Sequence, residues 1–426
     1  MKTLFTLFLI AILSLTHLNA QESVLVSVGA SYSHQSYYTL ADNTKNIVAN
    51  ESWDLAFTTA PGTAGVFLNE AATASFTGEA PELRLYYAPV NNFSEEVDPM
   101  ILGDSLYNAE IDWENGAFNS LKIEGGPDDY GWGTYDAGTQ TIQGSQIFAL
   151  KLRSGAWKKV FIESLANDIY TFKYADLNGA NEKTFTINKA DFAGSPFAYF
   201  SLDTELATAS PAGWDLLFTR YRTALDPGTG EIVQYMVTGV LNGLGAEAAE
   251  ARNVDPLTID HEPYLDSLST QLDIIGQDWK FFDLGSFSWI VDLNRAFFVK
   301  TAENRLWKIF FYDFGGSSTG NFTFEKTDLG LVSSVEAPAS NFVDFGIFPN
   351  PVADEMTVSF SLKESRKNLQ LSLCNSLGQP VWQSSVQGNE GLNVLNLRPG
   401  GELPSGIYHL TVGAGNDLIT KKVMVR

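Results

Sequence analysis

The sequence predicts an all-β protein: two similar antiparallel β domains in tandem, followed by a small immunoglobulin-like β-sandwich. Three observations carry this. A hexapeptide, WDLAFT at residues 53–58, returns as WDLLFT at 214–219. Short runs alternate apolar and polar residues with the period of two that marks strands. Sustained helical periodicity is absent, although AEAAEAR at 246–252 is compatible with one or two helical turns.

The landmarks around each hexapeptide recur in the same order. Tyr37-Tyr38-Thr39-Leu40 and Tyr199-Phe200-Ser201-Leu202 precede the two tryptophans. Val97-Asp98-Pro99 and Val254-Asp255-Pro256 come later, then GWGTYDAG at 131–138 and DWKFFDLG at 278–285. Two hairpins follow, with Ser154-Gly155 and Glu303-Asn304 as turns and Trp157-Lys158 aligned with Trp307-Lys308. Each copy closes on a strand carrying Phe172 or Phe322. Gly- and Ala-rich segments such as 61–82 and 242–253 read as surface loops. The expected organisation is an export signal at 1–20, repeats at 21–194 and 195–330, a linker at 331–341 and a terminal domain at 342–426.

Residues 1–20 combine Lys2, an apolar run and a small Ala20, the pattern of a cleavable export signal, with no membrane span expected in the mature chain. Of 426 residues, 44% are hydrophobic and the formal charge is -23. Residues 22–194 hold 23 acids against 10 bases, and 195–330 hold 19 against 9. A surface so acidic repels phosphate backbones, so no nucleic-acid partner is expected. The single cysteine, Cys374, rules out an intramolecular disulfide and reads as a small buried hydrophobe in an apolar strand.

In each repeat, the YYTL or YFSL entry, the Trp-Asp-x-x-Phe strand, the hairpin leading to Trp-Lys and, in the second, the segment Val237 to Gly243 resemble the HmuY-like domain of Bacteroidetes surface proteins. The resemblance covers roughly 34–190 and 196–330. It implies a surface protein, and in the family's founders a haem iron held by two histidines. Here His34 and His261 occupy unrelated places in the repeats, so one repeat cannot supply a histidine pair. Met236 with His261 is the one His-Met combination inside a single repeat. No cofactor is therefore expected; haem through His261, Met236 or His34 is the alternative.

Downstream of the linker, short alternating strands are broken by Gly, Asn and Pro. Pro349, Asn350 and Pro351, the turn at Gly378, the Gly406 to Tyr408 strand start and the basic Lys421 and Lys422 resemble the type A C-terminal sorting domain of the type IX secretion system. The resemblance implies that this domain engages the type IX machinery. It also implies passage through the periplasm to the cell surface or medium.

Catalytic groupings are scarce. Too few histidines exist for a nucleophile-base pair, and nothing singles out two carboxylates for glycoside hydrolysis. Asp54 and Asp215, beside the repeated tryptophans, are expected to bond backbone rather than move protons. Asp176, Asn178, Asn181 and Glu182 cluster oxygens that could hold calcium, without the full spacing of a calcium loop; a turn is the plainer reading. Trp53, Trp214, Trp157 and Trp307 read as core, and the unmatched Trp113 and Trp289 as contact residues. The function expected is a secreted or surface, non-enzymatic binding protein of unknown small-molecule, glycan or protein ligand. A tetrapyrrole scavenger without a histidine pair and a secreted hydrolase are the alternatives.

Overall fold

The computed structural model describes residues 21–75, 78–123, 126–332, 342–348, 352, 355–375, 379–398, 403–404, 406–414 and 417–425. They are nearly all β, in antiparallel sheets, as expected. Among them no helix is long and apolar enough to cross a membrane. The chain divides into compact units Met1–Val332 and Ser333–Arg426.

In the first unit the two repeats exchange strands. The entry strand of repeat one, His34–Tyr38, pairs with the tryptophan strand of repeat two, Leu216–Leu225, placing Tyr38 opposite Leu216 and Tyr37 opposite Leu217. Reciprocally, Phe197–Ser201 pairs with Leu55–Thr58, placing Phe200 opposite Leu55 and Tyr199 opposite Ala56. The register is the same at both places. The strand before His34–Tyr38 crosses too, Gln21–Ser27 joining the closing strand Asn321–Leu331, whereas its counterpart before Phe197–Ser201, Lys183–Asn188, joins Ile169–Ala175 of its own repeat.

Two lobes result, and they do not coincide with the repeats. One lobe is the continuous stretch 53–210; the other combines 21–50 with 214–332, so the boundary expected at 194/195 runs between strands of a single lobe. Each lobe packs a four-stranded sheet against a larger sheet over its own core. The two four-stranded sheets share a third apolar cluster between the lobes.

Side-chain alternation explains why the hexapeptide is so apolar. Leu55 and Phe57 point into one lobe core, and Leu216 and Phe218 into the other. Ala56 and Leu217, from the opposite faces, enter the shared cluster. These strands are therefore buried on both faces rather than one, and all four residues of Leu55–Thr58 are buried.

Several other expectations are corrected. Gly155 and Asn304, both with left-handed backbone, form equivalent hairpin turns in which Leu152 N donates to Ala156 O and Thr301 N to Arg305 O. Counting from these turns, Trp157 matches Leu306, and Trp307 matches Lys158. A slip of one residue reverses the face of a strand, so Trp307 is 6% exposed in a lobe core while Trp157 is half-buried in a satellite cluster. The bulges that skip Glu163 and Tyr312 confirm this frame, and by the same count Phe172 matches Phe324 rather than Phe322. The possible helix in 246–252 is instead the strand Glu247–Arg252, whose Ala248, Ala249 and Ala251 are buried; burial against the sheet overrides their helix propensity. Within the supposed loop 61–82 lies the buried strand Val66–Leu68, and Val237 to Asn242 belong to the strand Val233–Asn242, with Gly243 just past its end.

The second unit is the expected sandwich. A sheet of Phe342–Phe348, Met356–Leu362 and Gly391–Leu397 faces one of Pro380–Gly388, Arg366–Asn375, Gly406–Ala414 and Asp417–Val425. Leu371 and Leu373 point into its core, which turns Cys374 outward to a half-buried position, not the buried one expected. Tyr408 is buried, its hydroxyl donating to Pro404 O at 2.8 Å. Lys421 Nζ donates to Phe345 O at 2.8 Å, Lys422 lies opposite His409, and Gly406 lies opposite Val425. Pro349, Asn350, Pro351 and Gly378 lie outside the described residues, as does most of the linker.

Candidate ligand recess between the lobes

The strand exchange brings the repeated aromatic residues together. Trp53 and Trp214 each precede a tryptophan strand, while Tyr37 and Tyr199 sit on the exchanged entry strands. Trp53 stacks on Tyr199 with ring centroids 4.2 Å apart, and Trp214 meets Tyr37 edge-on at 5.2 Å. The two tyrosine hydroxyls meet at 2.6 Å across the junction. Burial pushes Tyr37 and Tyr199 well above the usual phenol range, the contact raising Tyr199 further while drawing Tyr37 back, so both stay protonated.

Asp54 and Asp215 lock the exchange. Asp54 Oδ2 accepts from Leu202 N at 2.7 Å and Asp215 Oδ2 from Leu40 N at 2.7 Å, each tying a hexapeptide to the entry strand of the other repeat. Asp54 also pairs with Arg153 at 2.7 Å. Desolvation raises both carboxyls, Asp215 to about 6.

Beside these residues a recess opens between the lobes. Its atom-free space, mouth included, is about 700 Å³, of which about 80 Å³ is open to water-sized guests. Trp53, Trp113 and Trp214 line it, with Phe67 and Phe197. All three indole N–H groups are engaged by the protein: Trp53 by Gln35 Oε1 at 3.3 Å, Trp113 by Asn242 O at 2.9 Å and Trp214 by Pro211 O at 3.1 Å. The indoles thus offer a guest carbon and π surface rather than donors.

The polar end holds Glu70, Glu110, Arg220 and Arg222. Glu70 follows the buried strand Val66–Leu68, is 7% exposed and accepts from Asn108 N at 2.8 Å. Desolvation raises its carboxyl to about 7, against the opposing pull of the Asn108 hydrogen bond and nearby Arg222. Arg222 is held by Glu82 at 2.6 Å, and Arg220 donates to Ala72 O at 2.7 Å and lies over the Tyr32 ring. Glu110 accepts from Thr223 Oγ1 at 2.6 Å.

Glu70 was missed in the sequence because its strand sits in a glycine- and alanine-rich stretch. One signal was present: Gly65-Val66 matches Gly239-Val240 in strand register, and at each glycine a Cβ would strike backbone, Glu114 O at 2.5 Å and Gly276 O at 2.4 Å. Trp113, expected at the surface, is instead part-buried between the lobes, edge-on to Trp214 at 5.7 Å.

The other candidates lie elsewhere. His34 Nδ1 is 2.8 Å from Ser33 Oγ, Met236 sits opposite Arg222 in its strand, and His261 packs near Phe298 between Asp260 and Glu262. The structure does not gather these three into one site. In the 176–182 loop, Asp176 is engaged by Lys158 at 2.5 Å and by Asn181 Nδ2 at 2.6 Å, Asn178 Oδ1 accepts from Ala180 N, and Glu182 faces Lys173 at 3.5 Å. These contacts build a turn. No group of three or more acidic, His or Cys side chains suited to a metal occurs among the described residues.

Trp289 belongs to a hairpin, Lys280–Asp283 with Ser288–Val291, that corresponds in register to Gly133–Asp136 with Thr141–Gly144. Repeat one has Thr134, Ala137, Gln140 and Gln143 where repeat two has exposed Phe281, Leu284, Phe287 and Ile290. Trp289 itself packs edge-on against Phe314 at 5.0 Å.

Comparison with known proteins bears on the second unit. Residues 346–426 match the family model of the secretion system C-terminal sorting domain. No curated protein matches the chain. Among solved structures, PorZ, a surface component of the type IX secretion system of Porphyromonas gingivalis, is 9% identical, with 68% of this chain and 44% of that chain covered and a TM-score of 0.16. Dimeric latent PorU from the same organism is 11% identical, with 67% and 31% covered and a TM-score of 0.17. The chain spans less than half the length of either, and at these scores the likeness carries no argument about the lobes. The sorting domain marks a protein exported by the type IX system to the cell surface or the extracellular space.

Proposed function

We propose that residues 21–332 form a non-enzymatic binding protein, two strand-exchanged HmuY-like modules whose ligand occupies the recess between the lobes. The observation that carries this is the convergence of Trp53, Trp113 and Trp214 with the buried Glu70 carboxyl at a junction that neither repeat could build alone. The polar groups nearby are engaged in structural hydrogen bonds, which leaves a shaped surface rather than an acid-base pair poised for chemistry. A small guest suits an inner space of about 80 Å³, whereas sites for drug-sized ligands usually span about 300–1,000 Å³. A tetrapyrrole is too large for that inner space, and neither His34 nor His261 lines the recess.

Native mass spectrometry of mature protein collected from the medium of the producing cells tests this. The expected result is a bound small molecule, lost in Trp113→Ala. A ligand retained by Trp113→Ala would move the site elsewhere.

A further inference from the structure

We propose that the recess takes a small organic cation, an alkylated ammonium group seated among Trp53, Trp113 and Trp214 with the Glu70 carboxylate as counter-charge. The inference rests on the reading of the recess as a ligand site and adds the chemical class of the ligand.

The indole donors are already used, so the tryptophans have nothing to offer a hydrogen-bonding guest such as a sugar hydroxyl. Their remaining chemistry is apolar contact and attraction of a cation to the electron-rich ring face, which is strongest when the cation is desolvated. An apolar guest would account for the rings but would leave Glu70 unexplained. A carboxyl so deeply buried is costly unless its charge is compensated; Glu70 has the Asn108 amide and the nearby Arg222, which Glu82 already holds, and no ion pair to Glu70 occurs among the described residues.

The charged groups facing Glu70 are Arg222 and Glu110, with Arg220 also in the lining. Both arginines are engaged by protein acceptors, Arg222 by Glu82 and Gln234 O, Arg220 by Ala72 O. Glu70 and Glu110 balance the two arginines within the lining, and Glu82 behind them is shared by Arg222 and Arg84, so the recess carries no net positive charge. The formal charge of -23 favours approach of a cation from solution.

The test uses choline and its neutral isostere 3,3-dimethyl-1-butanol, titrated separately into the mature full-length protein and followed by tryptophan fluorescence. Choline should bind at least tenfold more tightly than the alcohol. Its affinity should rise between pH 5.5 and 8 as Glu70 ionises, and Glu70→Gln should abolish both the preference and the pH dependence. Equal affinity for the two compounds would overturn the cation assignment and keep the recess as a ligand site. Binding of choline that is independent of pH and unchanged in Glu70→Gln would overturn the role of the carboxylate. If neither compound binds, the cation assignment falls; a ligand found in the native mass spectrum and lost in Trp113→Ala would then show that the recess still binds something else.

Discussion

Asp54 and Asp215 perform the same task in opposite directions: each accepts the amide two residues past the paired aromatic of the other repeat's entry strand, Leu202 N and Leu40 N, both at 2.7 Å. They differ in one partner. Asp54 also holds Arg153, itself mostly buried, whereas Asp215 has no ion-pair partner within 4 Å among the described residues. Removing Asp215 deletes a charged hydrogen bond, and Asp215→Ala should cost about 1.5–3 kcal/mol. Asp54→Ala also strands a desolvated guanidinium and should cost about 3–5 kcal/mol. Denaturant unfolding of the two variants reads the difference; equal costs would show that Arg153 contributes nothing.

The exchange of strands has a direct consequence for fragments. A fragment of residues 53–210 contains every strand of its lobe, while residues 21–194, the sequence repeat, lack Phe197–Ser201 and leave Leu55–Thr58 paired on one edge only, with Val66–Leu68. The first fragment should give a cooperative thermal transition by circular dichroism. The second should give none. A cooperative transition in 21–194 and not in 53–210 would contradict the exchanged pairing.

How much of this was legible follows from where the information sits. The repeated WD-x-x-F strands and aromatic entry strands were readable because strand burial on both faces demands apolar residues at fixed spacing. Exchange was not readable, since Tyr38 opposite Leu216 and Tyr38 opposite Leu55 impose the same pattern on the sequence. Trp157 misled for another reason: a shared Trp-Lys pair outweighed the turn residues Gly155 and Asn304, which alone fix the frame. Glu70 stayed hidden because its significance depends on Trp113 and Trp214, brought to it only by the packing of the lobes.

Glu70 makes stability depend on pH. Its carboxyl is raised from 4.5 to about 7, so the folded state holds a proton that the unfolded state releases. The favourable contribution is complete below about pH 4.5 and is lost as pH rises through 7, a difference of roughly 3 kcal/mol. Glu70→Gln should flatten the unfolding free energy over that interval, measured by urea titration at pH 4.5 and 8. An unchanged slope would show that another group is responsible.

Phe287 occupies a left-handed backbone position, φ 52°, at the hairpin tip and is 79% exposed; its counterpart in the first repeat is Gln140, φ 54°. A bulky residue there is strained and gains little from burial. Phe287→Gly should raise stability by about 1 kcal/mol, read from the denaturation midpoint. A loss would mean that the ring makes a stabilising contact at the tip.

The most direct test of the central claim is a high-resolution structure of the protein isolated from the medium of the cells that make it, without added ligands. Density for a small non-protein molecule should fill the recess against Trp113 and Glu70. Ordered water alone in the recess, with a bound molecule seated elsewhere on residues 21–332, would contradict it.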